Sequence, residues 1–152
     1  MKAVLDASAA LNVVSKGEFY DLISQSLEMC DITYAPTLFY AEVGNALLRA
    51  VRAGVLNFSQ SAERYDDALG LVGKFEKVEL YSHAVFHEAH RLNHSIYDIY
   101  YLELAKQKGA HLITLDQKLI SLAQENELRY MQFEDVSDSF FLESDYLSRI
   151  YQ

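Results

Sequence analysis

Short apolar segments alternate with longer segments of helical periodicity along this chain of 152 residues, and this alternation restricts its fold more than any other feature. Strands that alternate with helices favour a parallel sheet covered by helices on both faces. We predict an α/β fold, a three-layer α/β/α sandwich around a central, mainly parallel sheet of about five strands. The predicted strands cover residues 3–5, 32–35, 78–80, 111–115 and 130–133.

Helices are predicted where apolar residues recur every three or four positions. In the longest of them, Thr37 is a candidate N-cap and Gly54 supplies the stop. The predicted helices cover residues 18–29, 37–53, 59–75, 82–93 and 96–109.

One domain is the simplest account of the chain, because no repeat, low-complexity tract or Pro/Gly-rich linker divides it. We predict a domain over residues 1–133, followed at 134–152 by an acidic, aromatic segment that is either a tail or a docking helix. The single cysteine, Cys30, cannot form an internal disulfide and fits a reducing compartment. The apolar N-terminal stretch is far shorter than the roughly 20 residues that span a bilayer. A cytoplasmic protein with no membrane partner is therefore expected.

Four acidic residues lie at positions that a parallel sheet could bring together. Asp6 and Asp116 follow predicted strands, Asp98 lies in the first turn of a helix, and Glu42 lies within the longest helix. Ligands collect at the carboxyl ends of parallel strands. Carboxylates gathered there raise one another's pKa unless a cation neutralises them, and oxygen donors without Cys or His suit Mg²⁺ or Mn²⁺. The pattern thus indicates a metal site.

Each acidic residue also has a purely structural interpretation. Asp98 is favourable in a first helical turn, Asp116 is a common turn residue, and Glu42 can be a solvated helix residue. Asp6 is the hardest to explain in this way, because a carboxylate that closes a buried strand needs a partner. Spacing alone leaves both interpretations open.

The sequences around these residues resemble the PIN-domain family, and in particular the VapC-type toxin ribonucleases of toxin–antitoxin pairs. The matching segments are VLDASAAL around Asp6, YAEVGNALLRAVRAGVL around Glu42, and YDIYYLELAKQKGAHLITLDQKL around Asp98 and Asp116. Their order and spacing follow the family's pattern over residues 1 to about 133. A PIN-like fold is what this resemblance implies.

The resemblance also implies that the four acidic residues are catalytic and hold Mg²⁺ or Mn²⁺ for hydrolysis of RNA. It assigns supporting roles beside them to Ser8, Asn45 and Thr114. Tyr97 and Tyr101 are expected to pack near the cleft without a catalytic role. The implied partners are an RNA substrate, a cognate antitoxin and a second copy of the chain in a homodimer. The candidate phosphate contacts are Arg49, Arg52, Lys106, Lys108 and Lys118.

Two features weigh against RNA as the substrate. Thirteen Lys and Arg residues against 22 Asp and Glu residues give a net charge of −9, and an acidic chain repels phosphate at long range. The family often has a basic residue directly after the fourth acidic position, where this chain has Gln117 followed by Lys118.

A row of histidines forms a second candidate site. His83, His87, His90 and His94 follow one another at intervals of four, three and four, so they share one helical face. The apolar residues two positions further on lie roughly opposite and are expected in the core. Zn²⁺ binding by His83 and His87 is one hypothesis, and surface histidines without a function are the simpler interpretation.

Other functional classes fit less well. A haloacid-dehalogenase-type phosphatase needs a second aspartate where this chain has Ser8. A receiver domain needs an adjacent acidic pair after its first strand, and this chain has none there. Two alternatives stay open: a solitary PIN-domain RNA-processing nuclease, and a non-catalytic PIN-like binding or assembly module.

Overall fold

A central parallel sheet organises the protein in the computed structural model, which describes residues 1–133. Its strands are β1 (Lys2–Leu5), β2 (Ile32–Pro36), β3 (Lys74–Glu76) and β4 (His111–Ile113), in the order β3-β2-β1-β4. All three pairings are parallel, with Val4 opposite both Tyr34 and Leu112. Because the strands are parallel, each connection between them crosses a face of the sheet, and the helices lie there.

Seven α-helices cover the sheet within the described residues. They are α1 (Ala7–Val14), α2 (Tyr20–Glu28), α3 (Leu38–Arg52), α4 (Phe58–Gly70), α5 (Ser82–Leu92), α6 (Ile96–Lys108) and α7 (Gln117–Glu125). Helices α1 to α4 supply one hydrophobic core and α5 to α7 supply the other. The predicted three-layer α/β/α fold is confirmed.

The central strand β1 separates these two cores. Ala3 and Leu5 belong to the first core and Val4 to the second, as the alternation of side chains along a strand requires. All three are fully buried. Asp6 follows β1 directly, so its carboxylate lies at the carboxyl edge of the sheet.

The sequence placed the third strand wrongly. Residues Val78–Leu80 form a 3₁₀ turn in which Leu80 is 69% exposed, and the strand is Lys74–Glu76. Helix α4 ends at Gly70 and not near Phe75. The backbone N–H of Gly73 already donates to the carbonyl of Thr33 at 2.9 Å, which starts the pairing of β3 with β2.

The predicted fifth strand is also corrected, since the sheet has four strands within residues 1–133. The segment after α7 makes one isolated parallel bridge, between Tyr130 and Leu112. Two backbone bonds flank it, from Leu112 to Arg129 and from Met131 to Leu112. One bridge is too short to count as a strand.

The predicted tail or docking helix at 134–152 lies outside the described residues. Within residues 1–133, no helix combines the length and the hydrophobicity that crossing a membrane requires.

Candidate metal centre

Asp6 is the most deeply buried acidic residue of the candidate site, with 6% of its surface exposed. Its backbone N–H donates to Ile113 at 3.0 Å, which ties it to β4, and its side chain caps α1 by accepting from the Ser8 N–H at 2.8 Å. The hydroxyl groups of Ser8 and Thr114 also donate to its carboxylate. Burial raises the pKa of Asp6 to about 6 despite these bonds.

Asp116 is held in a similar way, in the short segment between β4 and α7. It is the N-cap of α7, and Oδ1 of its carboxylate accepts from the backbone N–H groups of Lys118 and Leu119 at 2.8 and 3.3 Å. Its own N–H donates to the Thr114 hydroxyl at 3.0 Å. Thr114 therefore bonds to both aspartates and joins the two strand ends.

Glu42 reaches the site from the first half of α3. Its Oε1 accepts a hydrogen bond from the phenol of Tyr101 on α6, with an O–O distance of 2.5 Å. Burial raises the pKa of Glu42 to about 7, and the negative charges of Asp6, Asp98 and Asp116 add to that rise. The Tyr101 bond acts in the opposite direction and does not cancel it.

Asp98 lies in the first turn of α6 and faces the same edge. Burial and the charge of Asp116 raise its pKa, while His94 and Lys118 lower it. Nδ1 of His94 lies 3.5 Å from Oδ2 of Asp98. That is too long for a good hydrogen bond, and this nitrogen has no other hydrogen-bond partner among residues 1–133.

The four carboxylates therefore form one electrostatic cluster, because Glu42 responds to the charge of each of the other three. We call these four residues the acidic cluster. Within residues 1–133, no three His, Cys, Asp or Glu side chains form a ready-made ion-binding group. The donor chemistry still fits a hard divalent cation, since every member is a carboxylate and mutual repulsion disfavours their common ionisation.

Only some of the other candidate residues lie beside the acidic cluster. Ser8 and Thr114 are buried against Asp6, whereas Asn45 is exposed on α3. Among the basic candidates, Lys118 acts on the cluster by lowering the pKa of Asp98. Arg52 lies ten residues after Glu42 on the same helix, a rise of about 15 Å.

Two basic candidates are engaged elsewhere. Lys106 lies 3.4 Å from Glu88, and Lys108 lies 2.9 Å from Glu76 and above the ring of Tyr34. Glu76 is a buried carboxylate at the end of β3 that also pairs with Lys74 at 3.1 Å, and its pKa is lowered, chiefly by the bond from Lys108. Sequence reasoning did not single out Glu76, because it placed this strand elsewhere.

Tyr101 has a larger part in the site than its sequence indicated. It lies three residues after Asp98 on α6, a spacing that puts both side chains on one helical face. The spacing was therefore sufficient to predict that Tyr101 lies beside the candidate site. The partner of its hydroxyl was not predictable, because Glu42 lies 59 residues away in sequence.

On α5 the structure turns Val85, Ala89 and Leu92 toward the second core. His83, His87 and His90 are exposed on the other side, as their periodicity predicted. The Zn²⁺ hypothesis for His83 and His87 stays a prediction.

A four-stranded parallel sheet, with acidic residues gathered at its carboxyl edge, places the protein among α/β proteins with a carboxylate-rich site. The model of the PIN domain family matches residues 3–125, and the chain belongs to that family. PIN domains are generally nucleases, so hydrolysis of nucleic acid is the function of the family. No curated protein matches the chain.

Two solved structures resemble the chain at the level of the fold. The first is PAE2754 from Pyrobaculum aerophilum, with a TM-score of 0.64 and 21% identity over 99% of this chain and 90% of that one. The second is VapBC2 from Rickettsia felis, bound to a DNA fragment from their promoter, with a TM-score of 0.61 and 14% identity. That match covers 86% of this chain and 98% of the other.

Proposed function

We propose that the chain is a metal-dependent endoribonuclease and the toxin of a type II toxin–antitoxin pair. The observation that carries the proposal is the acidic cluster, in which burial and mutual repulsion raise the pKa of Asp6 and of Glu42 at one edge of the sheet. A fold maintained for packing alone gains nothing from four carboxylates that destabilise one another. A cation bound by these carboxylates would explain their arrangement, because it would offset their repulsion and could also contact a negatively charged substrate.

Asp6, Glu42, Asp98 and Asp116 are the residues that would hold Mg²⁺ or Mn²⁺. Such an ion orients and acidifies water and stabilises negative charge on a leaving oxygen. The remaining work belongs to the protein. Thr114 and Ser8 fix the Asp6 carboxylate, Tyr101 fixes that of Glu42, and the backbone of α7 fixes that of Asp116.

Lys118 is the basic candidate best placed to contact a phosphate. It is exposed at the start of α7, and its charge acts on Asp98. Lys106 and Lys108 are paired with Glu88 and Glu76, so using them for RNA would require breaking those ion pairs. A bound cation would therefore strengthen RNA binding by so acidic a chain.

An antitoxin and a second copy of the chain are the proposed protein partners. The similar fold of a toxin–antitoxin complex from Rickettsia felis supports the first. Exposed apolar side chains on the helices after the first two strands offer surfaces for both. These include Leu22 in α2, Met29 directly after α2, and Leu48 in α3.

The test is incubation of the purified protein with total cellular RNA in Mg²⁺, in Mn²⁺ and in EDTA, with the cut ends mapped by sequencing. Asp98→Asn is the matched variant, because it removes one charge and keeps the shape of the side chain. We expect metal-dependent cleavage that the variant loses. Cleavage by Asp98→Asn at the wild-type rate would refute the assigned site, and no cleavage in any metal would favour a non-catalytic binding module.

A further inference from the structure

An open cavity of about 570 Å³ lies between the end of α5 and the start of α6. Its volume falls within the roughly 300–1,000 Å³ of ordinary ligand sites. The residues that line it are Phe86, His87, Ala89, His90, His94 and Ile96. Three members of the histidine row therefore face one cavity together with a phenyl ring.

The lining combines planar rings with small apolar groups. Phe86 is 66% exposed, and its ring meets the His87 imidazole edge to face at 5.9 Å between centroids. Exposed rings of this kind stack on unpaired nucleobases in proteins that bind single-stranded RNA. Imidazole nitrogens add hydrogen-bond donors and acceptors for the edge of a base.

The cavity adjoins the acidic cluster. His94 lines the cavity, and its Nδ1 lies 3.5 Å from Oδ2 of Asp98. Ile96, another lining residue, begins the helix that carries Asp98 in its first turn. A base next to a phosphate held at the acidic cluster would thus lie close to this cavity.

A metal is a poorer explanation of the three histidines. The exposed phenyl ring has no role in a metal site, whereas it is the natural platform of a base site.

We propose that this cavity is a base-binding subsite, in which an unpaired nucleobase flanking the cleaved phosphodiester stacks on Phe86 between the imidazoles of His87 and His90. The inference rests on the proposed ribonuclease function and names the form of its substrate. The substrate is single-stranded at the nucleotide beside the cut, since a base inside a duplex cannot enter a side pocket.

The test uses the full chain and short single-stranded oligoribonucleotides of mixed sequence. They carry a terminal fluorophore and, in a second set, 4-thiouridine. Binding is followed by fluorescence polarisation in EDTA, where no metal-dependent cleavage occurs, and photo-crosslinks are mapped by mass spectrometry. The same variants are compared in cleavage with Mn²⁺.

Four forms of the protein separate stacking from other effects. Phe86→Ala removes the ring, Phe86→Leu keeps an apolar side chain without a ring, and Phe86→Tyr keeps a ring. Phe58→Ala, at the start of α4, removes an equally exposed ring (67%) far along the chain from the cavity. Both positions are solvent-facing, so the fold is expected to tolerate each of the four changes.

We expect Phe86→Ala and Phe86→Leu to weaken RNA binding on the order of tenfold and to raise KM by a similar factor with little change in kcat. Phe86→Tyr and Phe58→Ala should bind as the wild type does, and crosslinks should map to Phe86 or His90. Equal binding by all variants, with cleavage intact, would overturn the subsite and leave the ribonuclease standing. Unchanged RNA binding with altered self-association in Phe86→Ala would assign this surface to a second copy and overturn the inference. Neither RNA binding nor cleavage by the wild type would overturn both proposals.

Discussion

Asp6→Asn should stabilise the metal-free protein at neutral pH while removing its activity. Asn is as good an N-cap as Asp, so the bond from the Ser8 N–H to the side chain persists. The variant no longer has to hold a buried negative charge beside Asp116. Stability and function are therefore predicted to change in opposite directions at this position.

The magnitude follows from the pKa of Asp6. Folding raises it from the usual 3.8 to about 6, and that difference corresponds to roughly 3 kcal/mol. Between those two pH values the folded protein binds this proton more tightly than the unfolded chain does. The contribution of Asp6 to the unfolding free energy consequently falls as pH rises through this window, and it is lowest above about pH 6.

The assay is urea denaturation of the wild type and Asp6→Asn in EDTA at a series of pH values from 4 to 8. Near pH 4 the two proteins should be about equally stable. At pH 7 the variant should be more stable by up to roughly 3 kcal/mol, or about 6–12 °C in Tm for a chain of this size. Asp67→Asn, at an exposed position in α4, is the control and should change stability by less than about 0.5 kcal/mol.

Metal should close the gap between the two proteins. Mg²⁺ or Mn²⁺ bound by the folded wild type stabilises it by mass action, and the variant lacks one of the proposed ligands. If Asp6→Asn were less stable than the wild type at pH 7 in EDTA, the reasoning that the carboxylate is held at an electrostatic cost would be refuted.

Three further predictions concern the residues that hold the acidic cluster. Tyr101→Phe removes the donor that lowers the pKa of Glu42, so the pH–rate profile of cleavage should shift to higher pH with little change in stability. A profile at the same pH as in the wild type would exclude this role of Tyr101. Thr114→Val keeps the shape of the side chain but leaves the Asp116 N–H without its acceptor. It should cost about 1–3 kcal/mol in urea denaturation and lower the activity, and unchanged stability and activity would exclude this role of Thr114. Glu76→Gln breaks the ion pairs with Lys74 and Lys108, so it should destabilise the fold by about 1–3 kcal/mol and leave kcat unchanged. A lower kcat without a loss of stability would instead assign Glu76 to the candidate site.

Most of the fold was predictable from local patterns. The α/β alternation, the parallel sheet and the helices α3, α5 and α6 follow from periodicity and capping residues. The two short helices α1 and α7 were not predicted, because Asp6 and Asp116 were interpreted as strand ends and not as N-caps. Residues 78–80 have a strand-like composition, yet the segment that pairs with β2 is Lys74–Glu76, opposite Tyr34–Pro36. Such pairing depends on tertiary contacts.

The candidate site was predictable in its acidic residues and not in the bonds that hold them. Asp6 and Asp116 end adjacent parallel strands, which is enough to place them at one edge. The contact between Tyr101 and Glu42 and the bond from Thr114 to Asp6 join residues that are 59 and 108 positions apart in sequence. Periodicity and spacing carry no information about such pairs.

The most direct test of the account is the anomalous diffraction of crystals grown with Mn²⁺. We predict an ion bound by carboxylate oxygens from Asp6, Glu42, Asp98 and Asp116, and its loss in Asp98→Asn crystals. An ion bound instead at the histidines of α5, or saturating Mn²⁺ that leaves the acidic cluster without an ion, would contradict the assignment of these four residues to a metal centre.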